Sequence, residues 1–190
     1  MKSIIFNQHQ VNHALKNEEG MFRVVIKPQP EIIKPYGDGR FLAMSKDSKL
    51  YYAKRPYQIG KTIFVKENFY EDTIYRNFIG YETNKNLSDI NSRALKINAC
   101  YMKQEYSRLT LRIKSVKVER LQDISEEDAA KEGMNLHLFH DSCNGGMCLT
   151  RYGHIDLKGV FATYWNSTHK KPEEKFEASP WVWKIEFKII

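Results

Sequence analysis

Hydrophobic and polar positions change period several times along the chain, and each change marks an element. Residues 3–6 form a short apolar run, and in the polar segment after it, residues 7–19, Val11, Ala14 and Leu15 recur at helical spacing. Gly20 is the expected stop for that helix. Phe22, Val24 and Ile26 then alternate as a strand, which Pro28-Gln29-Pro30 ends because proline supplies no N–H to a ladder. Gly37-Asp38-Gly39 is a turn signal between short strand-like stretches and predicts an inserted hairpin. Beyond Gly60, Ile63 and Val65 mark the core face of a strand over 62–67. Residues 70–100, rich in Asn and Tyr, show no clean period and read as a long insertion.

The second half is better patterned. Leu109, Leu111 and Ile113 share one face of a strand whose other face carries Arg108, Thr110, Arg112 and Lys114. At Ser115 the phase slips, and Val116 and Val118 take the apolar role. A one-residue slip turns every later side chain to the other face, so it predicts a bulge and a curved sheet. Ser125 with Asp128 three residues on resembles a capping box for a short helix over 126–131, with Gly133 as its stop. After an irregular stretch at 134–155, Leu157, Val160, Phe161, Tyr164 and Trp165 form one helical stripe. A final strand turns Trp181, Trp183, Ile185, Phe187 and Ile189 inward and Lys184, Glu186 and Lys188 outward.

The order is β-α-β, insertion, β, insertion, long bent β, α, loop, α, β. It predicts an α+β domain spanning 1–190: a strongly curved mixed sheet or small β-barrel with flanking helices. The insertions fall at about 28–56 and 70–100, with the irregular loop at 134–155. Too few helices alternate with strands for a doubly wound sheet.

Composition bounds the function. With 190 residues and 42% hydrophobic content, one domain with a core is expected and wholesale disorder is excluded. No run approaches the roughly 18 apolar residues of a membrane span, so no membrane partner is expected. The apolar stretch after Met1 is too short for a signal peptide, and three cysteines cannot all pair within the chain. A reducing, cytoplasmic setting follows as the expectation. A net charge of +7 favours an anionic partner, and eleven Tyr supply rings that can stack on bases.

Three groups of residues are candidates for chemistry. Between 102 and 120, Lys103, Arg108, Arg112, Lys114, Lys117 and Arg120 outnumber Glu105 and Glu119. Three of these cations alternate along one strand face about 7 Å apart, a spacing that can track phosphates or simply form the wet face of an amphipathic strand. Arg23, Lys27, Lys66 and Glu67 form a second group, in which a carboxylate can order an Arg or accept from a base amine. His137, His140, Cys143 and Cys148, with His154 nearby, offer zinc-type ligands. The spacing H-x2-H-x2-C-x4-C matches no established finger or ribbon, so free thiols and solvated histidines are the plainer reading and no cofactor is expected. Neither G-x-G-x-x-G nor a P-loop is present.

Several stretches resemble a phage-encoded ASCH-type family, related to PUA domains. They are Val24-Val25-Ile26-Lys27-Pro28-Gln29-Pro30, Pro56-Tyr57-Gln58-Ile59-Gly60, Phe64-Val65-Lys66-Glu67 and Ser107-Arg108. Val118-Glu119-Arg120-Leu121-Gln122-Asp123-Ile124-Ser125-Glu126-Glu127-Asp128-Ala129, Glu132-Gly133 and Ser179-Pro180-Trp181-Val182-Trp183 with Glu186-Phe187 complete the set, in family order. The resemblance implies a PUA-like barrel whose cleft binds RNA or a modified nucleotide, with DNA as a further candidate partner. Arg23, Lys27, Lys66 and Arg108 would meet phosphate or base, Glu67 and Ser107 would orient hydrogen bonds, and Arg112 and Lys114 would extend the basic face. Some small ASCH proteins are acetylcytidine amidohydrolases that use a Lys, a Thr and a Glu. The Glu maps onto Glu132, but residues 17–23 read Asn-Glu-Glu-Gly-Met-Phe-Arg and supply neither Lys nor Thr. A binding module is therefore the leading expectation. The alternatives are a hydrolase of a modified nucleoside or of RNA, with Glu132 or Glu67 as acid-base, and a phage–host interaction protein without catalysis.

Overall fold

The computed structural model describes residues 1–37, 39–82, 94–135 and 156–190. It is an α+β structure, mostly sheet with few helices. In chain order the strands are β1 (Lys2–Ile5), β2 (Glu19–Val25), β3 (Ile32–Tyr36), β4 (Arg40–Met44), β5 (Leu50–Tyr52) and β6 (Thr62–Lys66). They continue with β7 (Phe69–Asp72), β8 (Phe78–Tyr81), β9 (Ala94–Ile97), β10 (Thr110–Arg120) and β11 (Trp181–Ile189). Among the described residues the α-helices are α1 (Gln8–Lys16), α2 (Glu126–Lys131) and α3 (Leu157–Thr168). The chain divides into two compact units.

The first unit comprises Met1–Gly20, Gly60–Ile113 and Phe187–Ile190. Here β6 runs parallel to β1, with Ser3 opposite Phe64, and antiparallel to the start of β10, with Leu111 opposite Ile63. The helix starts on a capping box: Gln10 N–H donates to Asn7 Oδ1 at 2.8 Å, and Asn7 N–H donates to Gln10 Oε1 at 3.1 Å. It ends at Asn17 rather than at Gly20, because the Asn17 amide donates to the His13 carbonyl at 2.8 Å and β2 begins at Glu19. Val11 and Ala14 are buried, whereas Leu15 lies on the exposed side. Ile63, Val65, Leu111 and Ile113 are each at most 2% exposed. Burial of such side chains contributes roughly 1.5–3 kcal/mol apiece.

Residues 70–100 carry no readable period, yet together with Phe69 their described part forms short strands in the order β8-β7-β9. Their centre is Phe69, 1% exposed, with Phe78 and Tyr106 rings 6.2 and 5.8 Å away. Strands of four residues are too short for alternation to emerge, and a register shift at Tyr70/Glu71 breaks what there is.

The second unit comprises Met21–Ile59 and Lys114–Glu186. Its strands include the run β10-β11-β2 and the hairpin sheet β3-β4-β5. Burial along β10 falls at Leu111 and Ile113, then at Val116, which is the phase slip predicted at Ser115. β2 departs from simple alternation, since Met21, Phe22, Arg23 and Val25 are all buried. Helix α3 presents the predicted stripe: Val160, Phe161 and Trp165 pack with Leu121, Phe176 and Val182. The Trp165 indole N–H donates to the Glu174 carbonyl at 2.7 Å, so its one polar group is satisfied inside the core. Among the described residues no helix is long and apolar enough to cross a membrane.

Candidate functional site

In the first unit, the end of β6 delivers Glu67 to a buried position, 3% exposed. Arg108 grips it with both arms of its guanidinium, Nε to Oε1 and Nη2 to Oε2, each at 2.8 Å. The same guanidinium lies 4.0 Å from the centroid of the Tyr81 ring, whose hydroxyl donates to the Tyr106 carbonyl at 2.9 Å. Burial raises the Tyr81 phenol pKa, with the Glu67 carboxylate adding and Arg108 opposing. The Ser107 hydroxyl faces the carbonyls of Val65 and Leu109 at 2.7 and 3.0 Å, which ties the approach to β10 onto β6. Lys66 Nζ donates to the Cys100 carbonyl at 2.9 Å. Four of the residues expected to meet a ligand are thus drawn together, but by bonds that fix the fold. A bidentate, ring-stacked Arg is oriented and its charge neutralised. Arg112 and Lys114 occupy exposed positions of β10.

In the second unit, β2 carries Arg23 into the protein with its side chain 0% exposed. It meets three carboxylates. Nε donates to Glu119 Oε1 at 2.7 Å, Nη2 to Asp128 Oδ2 at 3.0 Å, and Nη1 to Glu132 Oε1. Lys184, from β11, bonds to Asp128 and stands 3.6 Å from Glu119. The Arg23 guanidinium also lies 5.7 Å from the Phe161 centroid, against the core. Three acids therefore share two cations, and complete ionisation would leave one uncompensated negative charge. The burden falls on Glu132. Burial is the largest influence and pushes its carboxyl up to about 7; Glu119 and Asp128 add to this, and Arg23 opposes it. Asp128 goes the other way: burial alone would raise it, but Lys184 and Arg23 outweigh burial and hold it below its ordinary value.

Arg23, expected as a ligand contact, is committed to these acids. Glu119, Asp128 and Lys184 were not among the residues from which a site was expected. Asp128 occupies the position at which a capping acid is expected, and its N–H does bond to Ser125 Oγ at 3.1 Å, while its carboxylate turns to the cations. Lys184 sits on the predicted outward face of β11.

Beside this cluster, and within the same unit, lies a cleft of about 380 Å³ lined by Arg23, Val24, Val25, Lys27, Lys54, Pro56, His169 and Trp183. That volume suits a small ligand. Lys27 stands above it, its side chain 63% exposed and Nζ 2.7 Å from Glu174. Lys54 is exposed on the connection that follows β5. His169 stacks on Trp165 at 3.9 Å between centroids and 8° between planes, and its Nδ1 lies 3.1 Å from the Trp165 carbonyl. Burial lowers its pKa, with the Trp165 carbonyl and Glu174 opposing, so the imidazole is mainly neutral at pH 7. Trp183, 3% exposed, also lines the cleft and is met edge-on by Phe41 at 5.1 Å. The lining carries cations and an imidazole and no carboxylate. Lys54, His169 and Trp183 lacked any signal linking them in sequence, since three separate segments supply them.

Glu132 and Glu67, the acid-base candidates, are each 3% exposed and each bonded to an arginine. His137, His140, Cys143 and Cys148 lie outside the described residues, as does Asp38 of the predicted turn. Among the described residues no group of three or more His, Cys, Asp or Glu side chains is arranged to hold a metal ion. The chain matches no protein-family model, no curated protein and no solved structure.

Proposed function

We propose that the chain is a nucleic-acid-binding module of the ASCH type, with a PUA-like curved sheet, that takes RNA or a nucleotide in the cleft of its second unit. The observation that carries this reading is the lining of that cleft: exposed Lys27 and Lys54, half-buried His169 and no acid among its lining residues. The ammonium groups would meet phosphate, and the imidazole would hydrogen-bond a base or sugar. Arg23 contributes by holding the β2 wall against the buried acids, and Glu67, Ser107, Arg108 and Lys66 contribute by fixing the fold of the first unit. The burial phase slip in β10 and the order of the family-like blocks support the fold part of the proposal.

Titration with cytidine 5′-monophosphate and with a short RNA tests the reading. Binding should weaken as salt rises, and Lys27→Ala/Lys54→Ala should reduce affinity about tenfold, since each lost phosphate contact costs on the order of a charge-assisted hydrogen bond. Salt-independent affinity, or an unchanged double variant, sinks it.

A second reading, hydrolysis of a modified nucleoside such as acetylcytidine, is favoured by one observation: a Glu132 carboxyl pushed up to about 7, close to the ideal for proton transfer at neutral pH. Acetylcytidine turnover that Glu132→Gln abolishes would establish it. No turnover leaves the binding module.

A further inference from the structure

The β3-β4-β5 sheet has two unlike faces. Ile33, Phe41 and Ala43 point inward, 6%, 9% and 1% exposed, with Phe41 seated on Trp183. Register places Tyr36 opposite Arg40 and Leu42 opposite Tyr52, so alternation carries Lys34, Tyr36, Arg40 and Tyr52 onto the other face together. Tyr36 and Tyr52 are 49% and 53% exposed, with ring centroids 5.9 Å apart. The Arg40 guanidinium lies 5.7 Å from the first ring and 5.0 Å from the second. Ile32 and Leu50 continue the face as exposed apolar positions.

A pair of half-exposed rings braced by a guanidinium is rigid and costs little entropy to engage. Charge decides what it suits. The three strands carry Lys34 and Arg40 and no acid, and residues 28–56 as a whole hold six cations against three acids. An anionic partner with flat apolar surfaces meets both features. In a duplex those surfaces are hidden by stacking, whereas in a single strand they are available.

We propose that this face is a stacking platform for single-stranded nucleic acid. Unpaired bases lie on Tyr36 and Tyr52, and Lys34 and Arg40 meet the backbone beside them. The platform is a site separate from the cleft and stands whether or not the cleft takes a nucleotide.

Anisotropy titrations of the whole chain with labelled oligouridine of about twelve nucleotides, a duplex of the same length and cytidine 5′-monophosphate test it. Oligouridine should bind about tenfold more tightly than duplex, and Tyr36→Ala/Tyr52→Ala should weaken oligouridine about tenfold while leaving the mononucleotide unchanged. Tyr36→Phe/Tyr52→Phe keeps both ring faces and should stay within about twofold of the parent, which separates stacking from any loss of fold. Oligouridine binding that survives the alanine pair overturns the proposal, and so does equal affinity for duplex. If the alanine pair abolishes self-association and spares oligouridine binding, the face belongs to a protein contact and the proposal again fails. If the mononucleotide does not bind but the alanine pair still removes oligouridine binding, the cleft reading fails and the platform holds.

Discussion

Glu132 shares its surroundings with Arg23 from β2, Glu119 from β10, Asp128 from α2 and Lys184 from β11. Its carboxyl titrates near 7 in the folded protein against about 4.5 when exposed. The folded state therefore holds a proton that the unfolded state gives up between those values. This stabilisation is complete below about 4.5 and is lost as pH rises through about 7, a span on the order of 3 kcal/mol. Half-buried His13 and His169 act in the opposite sense, because burial lowers their pKa values and favours the folded state as pH rises. The clean quantity is therefore a difference. Denaturant midpoints of the parent relative to Glu132→Gln should fall between pH 5 and 8, and parallel curves would show that the carboxyl is not protonated in the fold. Little of this was legible in the sequence. The cations could be read there, but the acids that neutralise them come from distant segments, and Asp128 already had a local explanation as a capping residue.

At the scale of elements, sequence was most informative where a pattern ran long enough to average. The stripe of α3 and the slip in β10 appear in the structure at the expected residues; β11 buries Trp183, Ile185 and Phe187 as expected, but it also buries Val182 and turns half-buried Lys184 to Asp128. It was least informative in β7, β8 and β9, and in β2, whose two buried faces include a charged side chain. The hairpin turn between β3 and β4 was legible because its chemistry is local. Gly39 has φ of +67°, and a Cβ there would lie 2.7 Å from Arg55 Nη2. The Arg55 guanidinium also bonds to the Gly39 carbonyl. Gly39→Ala should cost about 1–2 kcal/mol from its left-handed backbone, read as a lower denaturation midpoint. Gly37→Ala, with nothing within 4 Å of the added carbon, is the control and should be near neutral. Equal effects at both positions would show that the turn imposes no conformational demand at Gly39.

Across the whole molecule, a net charge of +7 pointed to an anionic partner without saying which of its 30 cations face one. Arg23 and Arg108, both prominent in sequence, are tied to carboxylates, whereas Lys34, Arg40 and Lys54 stand exposed around a cleft and a ring-bearing face. Net charge sums over partners, and only folding reveals the pairing. The Glu132 cluster also reaches the scale of the whole folding reaction, as heat. Near pH 6, unfolding frees its proton into the buffer, and the buffer absorbs it with an enthalpy of its own. The calorimetric enthalpy of unfolding, compared between parent and Glu132→Gln, should then depend on which buffer surrounds the protein, by about one proton's worth of ionisation heat.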